Sequence, residues 1–115
     1  MARLPTQTDY QRGRTAVGDP LERLFALAPD RYAYCLIRCL ADAGSVRFTV
    51  LQNRFSMSSR TLTARLKQLL KLGVVERRAF RALPPRVEYR LTASGRRLAK
   101  LLDQLAQWSK ANCPR

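Results

Sequence analysis

The chain has 115 residues, enough for one small domain, and its 22 basic residues against 8 acidic ones give a formal charge of +14. Such an excess points to a polyanionic partner, nucleic acid first and an anionic membrane surface second. With no histidine, no close carboxylate pair, no glycine-rich phosphate loop and no paired Cys-x-x-Cys knuckle, neither enzyme, metal site nor cofactor is expected.

Residues 1–18 mix Pro, Gly, Gln and Thr with Arg3, Arg12 and Arg14 and carry no apolar period. They read as a flexible basic arm ahead of a domain at 19–112. Asp19 can cap a first helix and Pro20 suits its first position. Leu21, Leu24, Phe25 and Leu27 give that helix an apolar face, and Pro29 lies past its end. Asp30 can cap a second helix at 31–42, whose inward stripe is Tyr32, Cys35, Leu36, Cys39 and Leu40, widened by Ile37. Ala43-Gly44 ends it. Val46-Arg47-Phe48 is short and β-prone and leads into a third short helix, about 49–54, with Leu51 toward the core. Phe55-Ser56-Met57 makes a tight turn.

The next helix, 58–72, organises the rest. Ser58 is its N-cap and Gly73 its stop. Leu62, Leu66, Leu69 and Leu70 form a buried stripe, while Arg60, Ala64, Lys67 and Lys71 lie opposite, with Thr63 beside them. The front is small, polar or basic: Ser59, Arg60, Thr61, Thr63, Ala64. A helix needs such a front to enter a DNA major groove. A short helix, a three-residue turn and a second helix with a basic front make a helix-turn-helix.

After Gly73 the period changes. Residues 74–80 and 86–91 read as strands, the second with Val87, Tyr89 and Leu91 on one side. Residues 81–85, with Pro84 and Pro85, form an exposed hairpin tip. This cationic hairpin, carrying Arg77, Arg78, Arg81, Arg86 and Arg90 against Glu76 and Glu88, is a wing beside the basic helix. Thr92 caps a last helix at 93–110, whose broad apolar face is Leu98, Leu101, Leu102, Leu105 and Trp108. That face exceeds what a small monomer covers. It packs on the first helix, or both pack across a dimer, and the dimer is favoured. The expected fold is mainly α with a small β-hairpin wing (α+β), a dimeric winged helix-turn-helix.

No apolar run approaches membrane-spanning length, and the first residues lack the apolar core of a signal peptide. A cytoplasmic, nucleoid-associated protein is expected, with no membrane partner. The cysteines are Cys35, Cys39 and Cys113, an odd number that argues against a disulfide framework.

Several motifs, in this order, resemble the HxlR-type winged helix-turn-helix transcriptional regulators, a MarR-like branch. They are Arg47-Phe48-Thr49, Leu62-Thr63 with Arg65-Leu66, and Leu72-Gly73-Val74-Val75-Glu76-Arg77. The most specific are Pro84-Pro85-Arg86-Val87-Glu88-Tyr89 and Leu91-Thr92-Ala93-Ser94-Gly95, with Trp108 near the end. The resemblance covers about residues 19–110 and implies a homodimer built from the first and last helices, through Leu21, Leu24, Phe25, Leu98, Leu101, Leu102, Leu105 and Trp108. It also implies binding to an inverted repeat of double-stranded DNA. Ser58, Ser59, Arg60, Thr61, Thr63 and Arg65 match the recognition-helix front, and Arg81 and Arg86 the wing. Ala64, Lys67, Arg47, Arg77 and Arg78 complete the candidate DNA-contacting set. Arg65 lies nearer the buried side and is assigned to phosphate; Arg60, Thr63 and Ala64 point most directly outward.

The sequence departs from that family at two places. Many members carry a reactive cysteine before the proline of the first helix, where this chain has Asp19. Tyr32 stands where tryptophan is common. Cys39 occupies a position often polar in the family, which implies partial exposure, and Cys113 could substitute for a C-terminal thiol. A thiol-based redox response through Cys39 or Cys113, to an oxidant or small-molecule effector, is therefore an alternative to a constitutive regulator. The leading function is a sequence-specific dimeric regulator, a repressor acting by occlusion through helix 58–72 and wing 77–90. A nonspecific nucleic-acid-binding or architectural protein and a protein-interaction adaptor are the other readings; aromatic residues kept on apolar stripes count against an RNA binder.

Overall fold

The computed structural model describes residues 20–27 and 31–113, with the side chains at 20, 26 and 27 left aside. The expected basic arm, the caps Asp19 and Asp30, and Pro29 lie outside the described residues. Among the described residues, five helices and three strands follow in order: α1 (Pro20–Leu27), α2 (Arg31–Ala43), β1 (Val46–Arg47), α3 (Phe48–Phe55), α4 (Ser59–Lys71), β2 (Val75–Phe80), β3 (Arg86–Leu91) and α5 (Ala93–Asn112).

The core is where the apolar stripes of these elements meet. Leu36, Ile37 and Leu40 of α2, Leu51 of α3, and Leu62, Leu66 and Leu69 of α4 pack with Val46, Val74, Val75, Tyr89, Leu91 and Ala99. Leu36, Leu40, Leu51, Leu62, Leu66 and Leu69 are the largest side chains fully shut from water. Their spacing is that of one buried helix face each.

The sheet is antiparallel with order β1-β3-β2, so the second wing strand is its centre. Val46 pairs with Tyr89 and Arg47 with Glu88, while β2 pairs with β3 from Val75–Leu91 to Phe80–Arg86. The sequence reading expected a two-stranded hairpin; the two residues of β1 add a third strand. This ties the entry to α3 onto the wing. Because directly opposed residues share a face, Val46, Val75, Tyr89 and Leu91 turn to the core. Glu76, Arg78, Phe80, Arg86, Glu88 and Arg90 share the outer face.

Most expected boundaries hold within one or two residues. The third helix extends one residue further at each end than 49–54, the first wing strand starts at Val75 rather than Val74, and the last helix runs to Asn112. Two side-chain expectations on α2 are corrected. Tyr32, placed on the inward stripe, is 37% exposed at its rim, with the Arg31 and Arg65 guanidinium carbons 5.2 and 5.9 Å from its ring centre. Cys39, implied by the resemblance to be partly exposed, is a buried core residue, as its place on the apolar stripe required.

The join between α4 and α5 is unusually close. Gly73 adopts φ +75°, which lets the chain leave α4 in a left-handed turn. The Thr92 amide donates to the Val74 carbonyl at 3.0 Å, and the Thr92 hydroxyl donates to Gly73 O at 2.7 Å. That same hydroxyl oxygen caps α5 by accepting from the Gly95 amide at 3.1 Å. Gly95 lies buried against Val74, and an ideal Cβ on it would overlap the Val74 carbonyl oxygen.

Helix α5 is fastened to α2 by an Arg38–Asp103 ion pair. Its apolar face divides. Leu98 and Leu102 pack on this chain's own core, as Ala99 does, whereas Leu101, Leu105 and Trp108 are more than half exposed. Leu21 and Phe25 of α1 are also more than half exposed, and Leu24 is half-buried.

Candidate nucleic-acid interface

The turn between α3 and α4 sets the direction of α4. Ser56 takes a left-handed φ of 51° and ends α3, with the Met57 amide donating to Gln52 O at 3.2 Å. The Gln52 side-chain amide then reaches across the turn and donates to the Ser59 hydroxyl at 2.9 Å. Ser58 caps α4 as expected, its side chain accepting from the Thr61 amide at 3.1 Å and its hydroxyl meeting that of Thr61 at 3.0 Å. The cap therefore occupies Ser58 and Thr61 with each other at the helix tip. Neither the Gln52 latch nor its part in the site was legible in the sequence, since a polar residue on a short helix carries no periodic signal.

With Leu62, Leu66 and Leu69 buried, the opposite face of α4 is fixed outward. Ser59, Arg60, Ala64, Lys67 and Lys71 are exposed, and Thr63 is half-buried toward the wing. Arg60 and Lys67 have no partner among the described residues, so their charges stand free. Arg65 is different. It is half-buried and its guanidinium lies against Tyr32, on the α2 side of the helix. The structure brings Ser59, Arg60, Thr63, Ala64 and Lys67 onto one surface and leaves Arg65 at its edge.

The wing contributes charge unevenly. On the outer face, Phe80 has Arg86 and Arg78 guanidinium carbons 4.3 and 5.2 Å from its ring centre. Arg86 Nε also donates to Glu88 at 2.8 Å, and Arg90 pairs with Glu76. The Arg86 hydrogen bond, followed by one from the Ser45 hydroxyl at 3.0 Å, holds the Glu88 carboxyl below its ordinary pKa, with Arg47 adding a smaller electrostatic pull. Arg86 is thus a brace for the base of the wing as well as a candidate contact. Arg77 and Arg81 are exposed with no partner among the described residues, and Leu83 at the tip is 98% exposed. Arg47, exposed on β1, stands beside the wing base.

The resulting surface is a slim polar helix front with free cations at Arg60 and Lys67, flanked by a hairpin with free cations at Arg77 and Arg81. A 13-residue helix spans roughly 20 Å, about what is needed to lie along a major groove of comparable width and depth to its own diameter.

The HxlR-like helix-turn-helix family matches over residues 27–115. The chain belongs to that family. An uncharacterised HTH-type transcriptional regulator of Methanothermobacter thermautotrophicus is 36% identical over 76 residues, covering 65% of this chain and 58% of that protein. Another, from Halalkalibacterium halodurans, is 30% identical over 94 residues, covering 81% of this chain and 83% of that protein. This HxlR-like chain therefore spans little more than half the length of the first relative. Among solved structures, the reduced form of the transcriptional regulator YodB from B. subtilis superposes with a TM-score of 0.73 at 29% identity, covering 83% of this chain and 93% of that one. These relatives and neighbours are transcriptional regulators, not enzymes. The winged helix-turn-helix architecture expected from the motifs is the one observed. Among the described residues no helix is long and apolar enough to cross a membrane.

The cysteines named as redox candidates are far apart in character. Cys39 is buried with its Sγ accepting from Arg54 at 3.2 Å, whereas Cys113 is exposed just past α5.

Proposed function

We propose that this chain is a sequence-specific DNA-binding transcriptional repressor that works as a homodimer on an inverted repeat. The observation that carries this reading is the pairing of free cations on the outward face of α4 with free cations on the adjacent wing. Binding begins with electrostatic capture by these charges. The two α4 helices then enter successive major grooves, about one helical turn apart. Arg60 and Ala64 read base edges, because they are exposed at the front of α4, and Thr63 contributes from its half-buried place on the wing side. Lys67, Arg77, Arg78 and Arg81 neutralise phosphate, with Arg47 and Arg86 fixing the wing base. Occlusion of a promoter is the simplest action for so small a domain.

The dimer reading is supported by the exposed stripe Leu101, Leu105 and Trp108 on α5, together with Leu21 and Phe25 on α1. Monomeric surfaces seldom leave that many large apolar side chains in the open unless they bind something.

The test is selection of a binding site from random duplexes, followed by titration of the selected and scrambled sequences at physiological salt. Arg60→Ala is expected to weaken the selected site by about 1–3 kcal/mol and leave scrambled DNA nearly unchanged. Arg81→Ala is expected to weaken both equally and reduce the salt slope by about one. Equal losses on both sequences for Arg60→Ala would remove it from the base-reading set.

A further inference from the structure

The tip of the wing is apolar. Ala82, Leu83, Pro84 and Pro85 are all exposed, Leu83 almost completely. A leucine so placed gives up nearly all the stabilisation that burial offers. The nearest shelter in sequence is Phe80, but the Arg86 and Arg78 guanidinium groups already hold its ring at 4.3 and 5.2 Å. The loop is stiff at its ends. Phe80 pairs with Arg86 across the hairpin, and Pro84 and Pro85 fix their own φ angles. Leu83 therefore stands out from a firm mount.

What surrounds the tip narrows its occupant. Between Glu76 and Glu88 the chain carries Arg77, Arg78, Arg81 and Arg86 and no acid. Arg77 and Arg81 are exposed, with no partner among the described residues. An apolar point between free cations suits a polyanion with apolar surface inside it, which describes stacked bases behind phosphates. With α4 in a major groove, the wing beside it meets the adjoining minor groove. Leucine has no donor or acceptor with which to read a base edge. The thymine methyl that an apolar side chain can recognise lies in the major groove. What is left for Leu83 is the face of a base, reached by parting neighbours in the stack.

We propose that Leu83 is a wedge that enters the minor groove, opens one base step in each half-site and bends the duplex, while Arg81 engages the phosphates beside it. The wedge rests on the DNA-binding reading above and adds to it a sequence preference that needs no hydrogen bond. Pyrimidine–purine steps part most easily. The operator therefore carries such a step under the wing, outside the bases that α4 contacts.

The test uses a selected duplex of about 30 base pairs, long enough for two half-sites and their flanks. One version carries 2-aminopurine, whose fluorescence rises on unstacking, at successive positions under and beside the wing. Another carries a donor and an acceptor dye at its ends. Saturating wild-type chain is expected to raise the 2-aminopurine signal several-fold at one step per half-site and to shorten the end-to-end distance. Leu83→Ser, a surface change that leaves the fold alone, is expected to lose both signals and to bind about tenfold weaker. Replacing the opened step by a stiff A-tract is expected to weaken the wild type about tenfold and Leu83→Ser hardly at all. Arg81→Ala, added to saturation, should keep both signals. A bound wild type that unstacks no position, or signals that survive in Leu83→Ser, overturns the wedge. So does a Leu83→Ser chain that loses its dimer by sedimentation equilibrium and keeps the bend, which puts the tip against a second copy instead. A wild type that binds no duplex at all fails the DNA-binding reading itself, and the wedge falls with it.

Discussion

Gly95→Ala provides a test of sign. Helix propensity alone says that replacing glycine by alanine stabilises a helix by about 1 kcal/mol. The structure reverses that. The added Cβ would overlap the Val74 carbonyl oxygen and lie 2.9 Å from the Val74 carbonyl carbon and 3.2 Å from Leu91 Cβ. The first two are backbone atoms of the turn between α4 and β2, so no rotamer change relieves them. Helix α5 must move away. Forced overpacking of this kind costs about 1–3 kcal/mol. The Thr92-to-Val74 backbone bond and the Thr92 cap span the same gap, and losing them adds about 1 kcal/mol each. Set against the propensity gain, the net loss is about 2–4 kcal/mol, a large part of the roughly 5–15 kcal/mol that holds a domain together. At about 4 °C per kcal/mol for a domain of this size, Tm should fall by roughly 8–16 °C. Thermal and urea denaturation followed by circular dichroism measure it. Ser94→Ala, exposed in the same turn, is the control and should stay within about 0.5 kcal/mol of wild type. A Gly95→Ala protein as stable as wild type, or more so, would refute the close approach of α5 to Val74.

Other consequences can be checked in parallel. Leu105→Glu places a carboxylate in each half of the proposed symmetric interface at about 2 kcal/mol or more per copy, so the dimer dissociation constant should rise on the order of a thousandfold by sedimentation equilibrium. Thiol labelling of the native chain should follow exposure: Cys113 first, Cys35 next, and Cys39 slower than Cys113 by about a hundredfold, since it must wait for a local opening. The lowered pKa of Glu88 means that its charged form favours the folded state. That stability is present above the ordinary value of 4.5 and is lost as pH falls through the lowered folded value. Urea denaturation between neutral and acid pH should therefore show a shallower acid limb in Glu88→Gln than in wild type.

Much of this architecture is legible because it is local. The α4 stripe Leu62, Leu66, Leu69 repeats at the helical period, and Ser58 and Gly73 bracket it with the chemistry that helix ends require. The alternation Val87, Tyr89, Leu91 announces β3 in the same way. What escaped notice depends on distant partners. Two residues, Val46 and Arg47, cannot declare that they pair with Tyr89 and Glu88 more than forty positions later. Tyr32 fits an inward stripe by spacing, yet it lies at the rim with the Arg31 and Arg65 guanidinium groups beside its ring. The α5 face reads as one apolar band, and only packing divides it into Leu98 and Leu102 within the core and Leu101, Leu105 and Trp108 outside. Arg86 counts as one more wing cation until Glu88 and Phe80 are seen to hold it.

From Ala43 to Val75 there is no acidic residue at all, while Arg47, Arg54, Arg60, Arg65, Lys67 and Lys71 fall in the same stretch. An anion approaching the front of α4 from that segment meets cations only. The two acids of the wing, Glu76 and Glu88, lie on its outer face, where they engage Arg90 and Arg86. Arg77 shares the inner face of the wing with Ala79 and has no such partner. The acids thus sort the arginines into those that shape the hairpin and those left available beside α4. A protein that coated nucleic acid by charge alone would gain nothing from this division, since long-range attraction is insensitive to which arginine is held. A protein that must set one helix in one groove in one register gains a rigid wing base with free charges at fixed positions. On this argument, releasing Arg86 by Glu88→Gln should cost discrimination between selected and scrambled DNA more than it costs total affinity, even though it raises the net charge.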